Sequence, residues 1–253
     1  MNQNRMFLRA SVVLGVVFAL GESACGRAAS KRDAVSVGSC ASKSALSLPL
    51  VGLPFAGAAH AFEPLTQALV HVTSGHTEPS HGNWMTVHAP MMRGVAMTTT
   101  GSGVELAFEY HGPSRETAAF ASGEVRRQIG IKLRAANTCN VIYAMWYADG
   151  PSNIHVAVKH NEGKTREKEC GDSGYIPVFA TTSTNVAALA AGSSHVMRAE
   201  IEGDRLIVTV DGAIAWRGEL PPEVRLQSGP AGLRSDNVDF DFELRVPRAS
   251  IGD

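Results

Sequence analysis

Apolar and polar positions alternate with a period of two through most of the chain beyond residue 84, the spacing of strands that bury one face. Ile129, Ile131 and Leu133 alternate with Gln128, Gly130, Lys132 and Arg134. Asn140 to Tyr147 is apolar or aromatic at nearly every position, as expected of a strand covered on both faces. Ile154, Val156 and Val158 then alternate with His155, Ala157 and Lys159. Asn137-Thr138 and Asp149-Gly150-Pro151-Ser152 supply the turns between these three strands. Further strands are predicted at Val95 to Thr99, at Val104 to Tyr110, around Trp216 and at Val238 to Val246. Arg115 to Gly123 reads as a loop, and Asn161 to Ser173 as a charged loop or solvated hairpin. The cleanest hairpin runs from His195 to Val210, where Met197, Ala199 and Ile201 face Val210, Val208 and Leu206 across a Gly203-Asp204 turn. Strand patterns outnumber helical ones, which points to an all-β domain.

Pairing the first two central strands about Asn137 sets Gln128 beside Trp146, Gly130 beside Ala144 and Lys132 beside Ile142. Pairing the second and third about the Asp149 turn sets His155 next to Trp146, Ala157 next to Ala144 and Lys159 next to Ile142. A strip of small residues is then flanked by Trp146, Gln128, His155, Lys132, Arg134 and Lys159. An aromatic plane for the apolar face of a pyranose, set among fixed donors and acceptors, is the makeup of a sugar-binding surface. Its basic lean suits an anionic glycan. The competing reading is a wet polar sheet face, or one covered by the segment from Tyr175 to Leu189.

At 253 residues the chain is long enough for one substantial core. A formal charge of −1 offers no basic excess for nucleic acid. Residues 1–61 carry two export-like segments. In the first, Arg5 and Arg9 precede an apolar run from Val12 to Leu20 that is short for a membrane span. Ser23-Ala24-Cys25 resembles the end of a bacterial lipobox, which would lipidate Cys25, although Glu22 stands where an aliphatic residue is usual. In the second, Lys43 precedes an apolar run ending in Ala59-His60-Ala61, a small-x-small cleavage pattern. Either the second is the working signal, or residues 26–61 are an Ala/Ser-rich tether behind a lipid anchor. Both place the product outside the cytoplasm: periplasmic, at the cell surface or secreted, with any membrane contact made through the anchor. In that compartment Cys139 and Cys170 favour a disulfide, closing a loop of about 30 residues and contributing roughly 3–4 kcal/mol in the chain-entropy model.

Residues 62–83, with His71, His76 and His81, read as a linker or first edge segment rather than a metal site. The domain proper is expected over residues 84–247, with 248–253 as a tail. Glu200, Glu202 and Asp204 invite comparison with alternating glycosidase carboxylates. However, Asp204 falls in a turn, and Glu202 sits opposite Arg205 as an ordinary cross-strand pair. Asp239, Asp241 and Glu243 form a solvated strand face, or less favourably part of a Ca²⁺ site. Phosphate loops, nucleophile elbows and zinc-binding His pairs are missing from the sequence, so no catalytic residue is assigned and no cofactor is expected.

The segments Gly82–Met97, Val104–Tyr110, Arg126–Ala135, His195–Trp216 and Gly229–Leu244 together resemble the concanavalin A-like lectin and glucanase superfamily. Within it they resemble the small bacterial domains related to 3-keto-disaccharide hydrolases. The resemblance implies a two-sheet antiparallel jelly-roll sandwich. That fold hosts glycan-binding modules, adhesion domains and glycosidases. The expectation is an exported, non-catalytic carbohydrate-binding module centred on Trp146. One alternative is a glycosidase or polysaccharide lyase using His155, Lys159 or Tyr143; another is an envelope protein that binds other proteins.

Overall fold

The computed structural model describes residues 61–150 and 152–248. The export-like segments, Cys25 and the tail from residue 249 lie outside the described residues. Strands β1 (Phe62–Pro64), β2 (Val70–Ser74), β3 (Glu78–Pro79), β4 (Met85–Val87), β5 (Met91–Ala96) and β6 (Gly103–Pro113) come first. Next are β7 (Gln128–Asn137), β8 (Asn140–Tyr147), β9 (Ile154–Lys159) and the one-turn helix α1 (Glu167–Cys170). After it follow β10 (Tyr175–Pro177), β11 (Ala180–Ser183), β12 (Ser193–Glu202), β13 (Arg205–Val210) and β14 (Ala213–Glu219). The last pair is β15 (Gly232–Asp236) and β16 (Val238–Pro247).

These strands make two antiparallel sheets. The nine-stranded sheet runs β11-β14-β13-β12-β6-β16-β4-β3, with β1 also on β16, and the seven-stranded sheet runs β10-β9-β8-β7-β15-β5-β2. The chain changes sheet between β1 and β2, β2 and β3, β4 and β5, β5 and β6, β6 and β7, β10 and β11, β14 and β15, and β15 and β16. This back-and-forth winding makes an all-β jelly-roll sandwich. Residues 62–79 contribute three short strands paired into both sheets, so the sandwich begins at Phe62, ahead of the boundary expected from the sequence. Between the sheets lie Leu106, Phe108, Ile129, Ile131, Leu133, Ile142, Trp146, Met197, Leu206, Phe240 and Phe242, all fully buried.

The β12–β13 register matches the sequence pattern, with Met197 opposite Val210 and Ile201 opposite Leu206. The central hairpins do not: Ile129 pairs with Trp146, Gly130 with Met145 and Lys132 with Tyr143. His155 pairs with Met145 and Lys159 with Val141. Both pairings are one residue from the expected register. For β7–β8 the cause is an irregularity between Leu133 and Asn137, where Arg134 adopts a left-handed φ of 45°. The extra residues move the turn to Thr138-Cys139 and change which side of β8 meets the core. The indole of Trp146 therefore lies between the sheets, edge-on to Phe108 at 5.9 Å.

The β15–β16 corner is made by Asn237, fully buried with a left-handed φ of 56°. Its side chain accepts from Ala118 N at 2.7 Å and donates to Ala118 O at 3.0 Å and Arg126 O at 2.8 Å. One residue thus turns the chain between sheets and holds the loop of residues 114–127. Asn237→Gly keeps the backbone freedom and removes all three bonds. It is expected to lower stability by about 2–4 kcal/mol and to speed proteolysis within residues 114–127; unchanged cleavage there would show that the loop is held elsewhere.

Candidate functional site

Alternation along β7, β8, β9 and β15 sends a second set of side chains to the outer face of the seven-stranded sheet. Tyr143, Met145 and Tyr147 come from β8, Gln128, Gly130 and Lys132 from β7, His155 and Ala157 from β9, and Arg234 and Asp236 from β15. Phe120, Ser122 and Arg126, on the Asn237-held loop, raise one wall. Asp172 and Tyr175 raise the other. A cleft of about 340 Å³ lies between them.

The second wall is clipped down covalently. Cys139, in the β7–β8 turn, is joined by a disulfide to Cys170 at the end of α1, with Cα atoms 5.8 Å apart. Asn161 adds bonds from its Nδ2 to Cys139 O and Ser173 O, each 3.1 Å. Lys159 Nζ donates to Gly171 O at 2.5 Å and stands 3.7 Å from Glu167. Lys159 is 3 % exposed, so it buttresses this wall and has no free charge to offer a ligand.

The floor is organised by ions. Asp236, 1 % exposed, accepts from Arg93 Nη2 at 2.5 Å, Arg234 Nε at 2.9 Å and Gln128 Nε2 at 2.6 Å. Burial alone would raise its carboxyl pKa, but the two guanidinium groups and the amide outweigh burial and hold it below the usual range. Arg234 lies 4.8 Å from the ring centre of Tyr143 and 5.6 Å from that of Phe120. Arg126 lies 5.4 Å from Phe120 and 5.8 Å from Tyr147. Tyr147 in turn stacks on His155 at 4.1 Å, with planes 10° apart. Burial, then Arg126, lowers the His155 pKa and favours the neutral ring. Two buried polar atoms among these groups, Gln128 Oε1 and His155 Nε2, have no hydrogen-bond partner among the described residues.

Of the residues expected to bind, Gln128 and His155 line the cleft. Lys132 is on the same face, 7 % exposed, opposite Tyr143. Two expectations are corrected. Trp146 is 0 % exposed and points into the core, because the register change exchanges the two faces of β8. Arg134 sits in the irregular part of β7 and donates to Val224 O and Arg225 O at 2.9 and 3.0 Å, away from the cleft. Arg93, Arg234 and Asp236 are not legible as site residues in the sequence; the one signal is the charge of Arg93 inside the otherwise apolar β5.

The other polar clusters are engaged elsewhere in the fold. Glu202 pairs with Arg205 across the hairpin, and Asp204 forms an ion pair with Arg225 at 3.2 Å. Asp239 lies 3.3 Å from His88, Asp241 accepts from Thr86 at 2.6 Å, and Glu243 bonds Arg245 at 2.7 Å. Among the described residues no group of three or more His, Cys, Asp or Glu could hold a metal ion. Ser193, His195 and Asp211 form a hydrogen-bonded chain, with 3.1 Å from Ser193 to His195 and 2.8 Å from His195 to Asp211. That chain resembles a charge relay. However, the His195 ring packs on Trp146 at 4.8 Å, inside the sandwich and across the sheet from the cleft.

No protein-family model matches the sequence, and no curated protein matches it. Solved structures of similar fold include a carbohydrate binding module, CBM66 from Bacillus subtilis, at 12% identity and a TM-score of 0.46, covering 69% of this chain and 91% of that one. A beta-glucanase of Bacillus licheniformis is 10% identical with a TM-score of 0.45, covering 75% and 98%. SCLam, a non-specific endo-beta-1,3(4)-glucanase from family GH16, is 10% identical with a TM-score of 0.39, covering 75% and 96%. These likenesses assign no role to any residue in the cleft.

Burial, then Arg93 and Arg234, lowers the Lys132 pKa from 10.5 to about 8. Below about pH 8 the group is charged both folded and unfolded, so its burial penalty is present in full. Between about 8 and 10.5 the folded protein loses this proton first, and the penalty fades. Lys132→Met is therefore expected to stabilise the protein at neutral pH by up to about 3 kcal/mol. The gain should shrink as pH rises through that window, in denaturant titrations at several pH values; a loss of stability at neutral pH would contradict the burial argument.

Proposed function

We propose that the protein is an exported, non-catalytic glycan-binding module whose ligand lies in the cleft on the outer face of the seven-stranded sheet. The observation that carries the reading is a prebuilt cleft of tyrosines in which Gln128 Oε1 and His155 Nε2 are buried without partners. A sugar hydroxyl both donates and accepts, so it satisfies Gln128 Oε1 and either tautomer of His155. Tyr147 and Tyr175 offer ring surface to the C–H face of a pyranose. The disulfide in the second wall fits an oxidising compartment outside the cytoplasm.

Hydrolysis by paired carboxylates has little support. Asp172 is the one carboxylate among the cleft-lining residues, and Asp236 below it is held by two arginines. A polysaccharide lyase is the second reading, favoured by Tyr143 and a neutral His155 facing the same cleft as Arg234. Lys159 drops out of that scheme because its ammonium is committed to Gly171.

A glycan-array screen of the protein, followed by calorimetry on the best ligand, tests the proposal. Tyr147→Ala and Gln128→Ala are expected to bind at least about tenfold more weakly, whereas Arg134→Ala, outside the cleft, should bind as wild type does. Cleavage of the ligand on prolonged incubation would replace the binding module with the enzyme. Failure of wild type to retain any glycan would sink the reading and favour a protein partner.

A further inference from the structure

Four charged groups are buried together on this sheet face: Arg93, Arg234 and Lys132 are cationic, and Asp236 alone is anionic; of these Arg234 lines the cleft and Lys132 lies beside it, next to the cleft residue Tyr143. The carboxylate is fully engaged by the two guanidinium groups and by Gln128. Arg93 and Arg234 are register partners on neighbouring strands, which concentrates positive charge beside β7. The other cations near the cleft have local acids, Arg126 with Glu124 and Lys159 with Glu167. Lys132 has none. Its ammonium finds no acceptor within hydrogen-bond distance among the described residues, although the side chain is 7 % exposed and lies between Tyr143 on β8 and Gly232 on β15. Asp172, the acid on the rim, is exposed to solvent and so cannot neutralise the floor.

An ammonium on a largely buried side chain, with solvent as its remaining partner, becomes unfavourable when that solvent is displaced unless something supplies an anion. Water can solvate it in the free protein, but a ligand that extends from the cleft past Tyr143 onto β7 displaces that water. A neutral sugar would then leave the charge stranded, and an acidic one would compensate it. The remaining unpaired atoms, Gln128 Oε1 and His155 Nε2, call for hydroxyl groups on the same ligand. Resting on the glycan reading of the cleft, we propose that the ligand is an acidic sugar whose carboxylate or sulfate is bound by Lys132 and Arg234 while its hydroxyls meet Gln128 and His155.

Calorimetry with the full chain at neutral pH would compare three oligosaccharides of equal length: a neutral glucan, a polyuronate fragment and a sulfated galactan fragment. At least one acidic ligand is expected to bind about tenfold or more tightly than the glucan, with an advantage that falls as salt is added. Whichever acidic ligand binds identifies the acid group. Lys132→Met, which the burial argument expects to fold, should abolish that advantage, in part by strengthening glucan binding now that no charge is stranded. Near pH 8 wild type should take up a proton on binding an acidic ligand, and the variant should not. The groups facing Lys132 that could share that proton are Arg93, Arg234, Asp236 and Tyr143, and all four are present in both proteins. Equal affinity for the neutral and acidic ligands would overturn the acid-group inference while leaving the glycan site standing. An acidic preference that survives in Lys132→Met would overturn the role of Lys132. No binding of any of the three would overturn the glycan reading and this inference with it.

Discussion

The Asp236 carboxylate accepts hydrogen bonds from Arg93, Arg234 and Gln128, one side chain from each of three strands that include both neighbours of its own. A carboxylate 1 % exposed would be strongly unfavourable alone. With two guanidinium partners it becomes the point about which the outer face of the sheet is ordered. Arg234, bonded to Asp236 through Nε, is aimed at Tyr143 and Phe120, where its flat cation packs near both rings. Gln128 spends its amide N–H on Asp236 and is left with an unpartnered oxygen. The same interaction therefore sets the floor of the cleft, one of its cations and one of its free acceptors. Withdrawing Asp236 would leave two buried guanidinium groups without their shared anion, so the arrangement is held by a large loss of stability on breaking it.

The walls are fixed by different means. On one side Asn237 holds the loop of residues 114–127 through both ends of its amide. On the other, the Cys139–Cys170 disulfide and the buried Lys159 tie the segment around α1 to the β7–β8 turn. Both loops would otherwise be surface connections, among the most mobile parts of a sandwich. Held at several points, they reduce the ordering that a ligand would have to impose, which is where weak sugar contacts are most easily lost.

What the sequence discloses follows from where local pattern is sufficient. The β12–β13 hairpin is readable to the residue because one face is apolar and a two-residue turn leaves no slack. β7 and β9 alternate cleanly, so the period of two alone puts Gln128, Lys132 and His155 on the correct face. β8 is apolar on both faces, and pattern alone cannot tell which side of such a strand meets the core. The irregularity at Arg134, a residue with no turn-forming signature, decides it. Arg93, Arg234 and Asp236 are out of reach for another reason. They join β7 through sheet order, from segments far away in sequence, and only the winding of the sandwich makes them neighbours.

A one-residue difference in register thus changes the chemistry of the face. Had Trp146 pointed outward, the surface would have offered a single large apolar plane. Its burial fills the space against Phe108 but leaves the indole Nε1 without a partner among the described residues, a local penalty that the packing of a large ring offsets. In exchange β8 presents Tyr143 and Tyr147, rings with a polar edge, to the cleft. Tyr143 is itself partly desolvated, and burial raises its pKa, so it stays a neutral hydroxyl beside Arg234. The face that results is made of aromatic surface, neutral hydrogen-bonding groups and one cation with no acid of its own. Apolar ligands would waste the last two, and small inorganic anions would waste the first. A hydroxylated ring bearing an acid group uses all three.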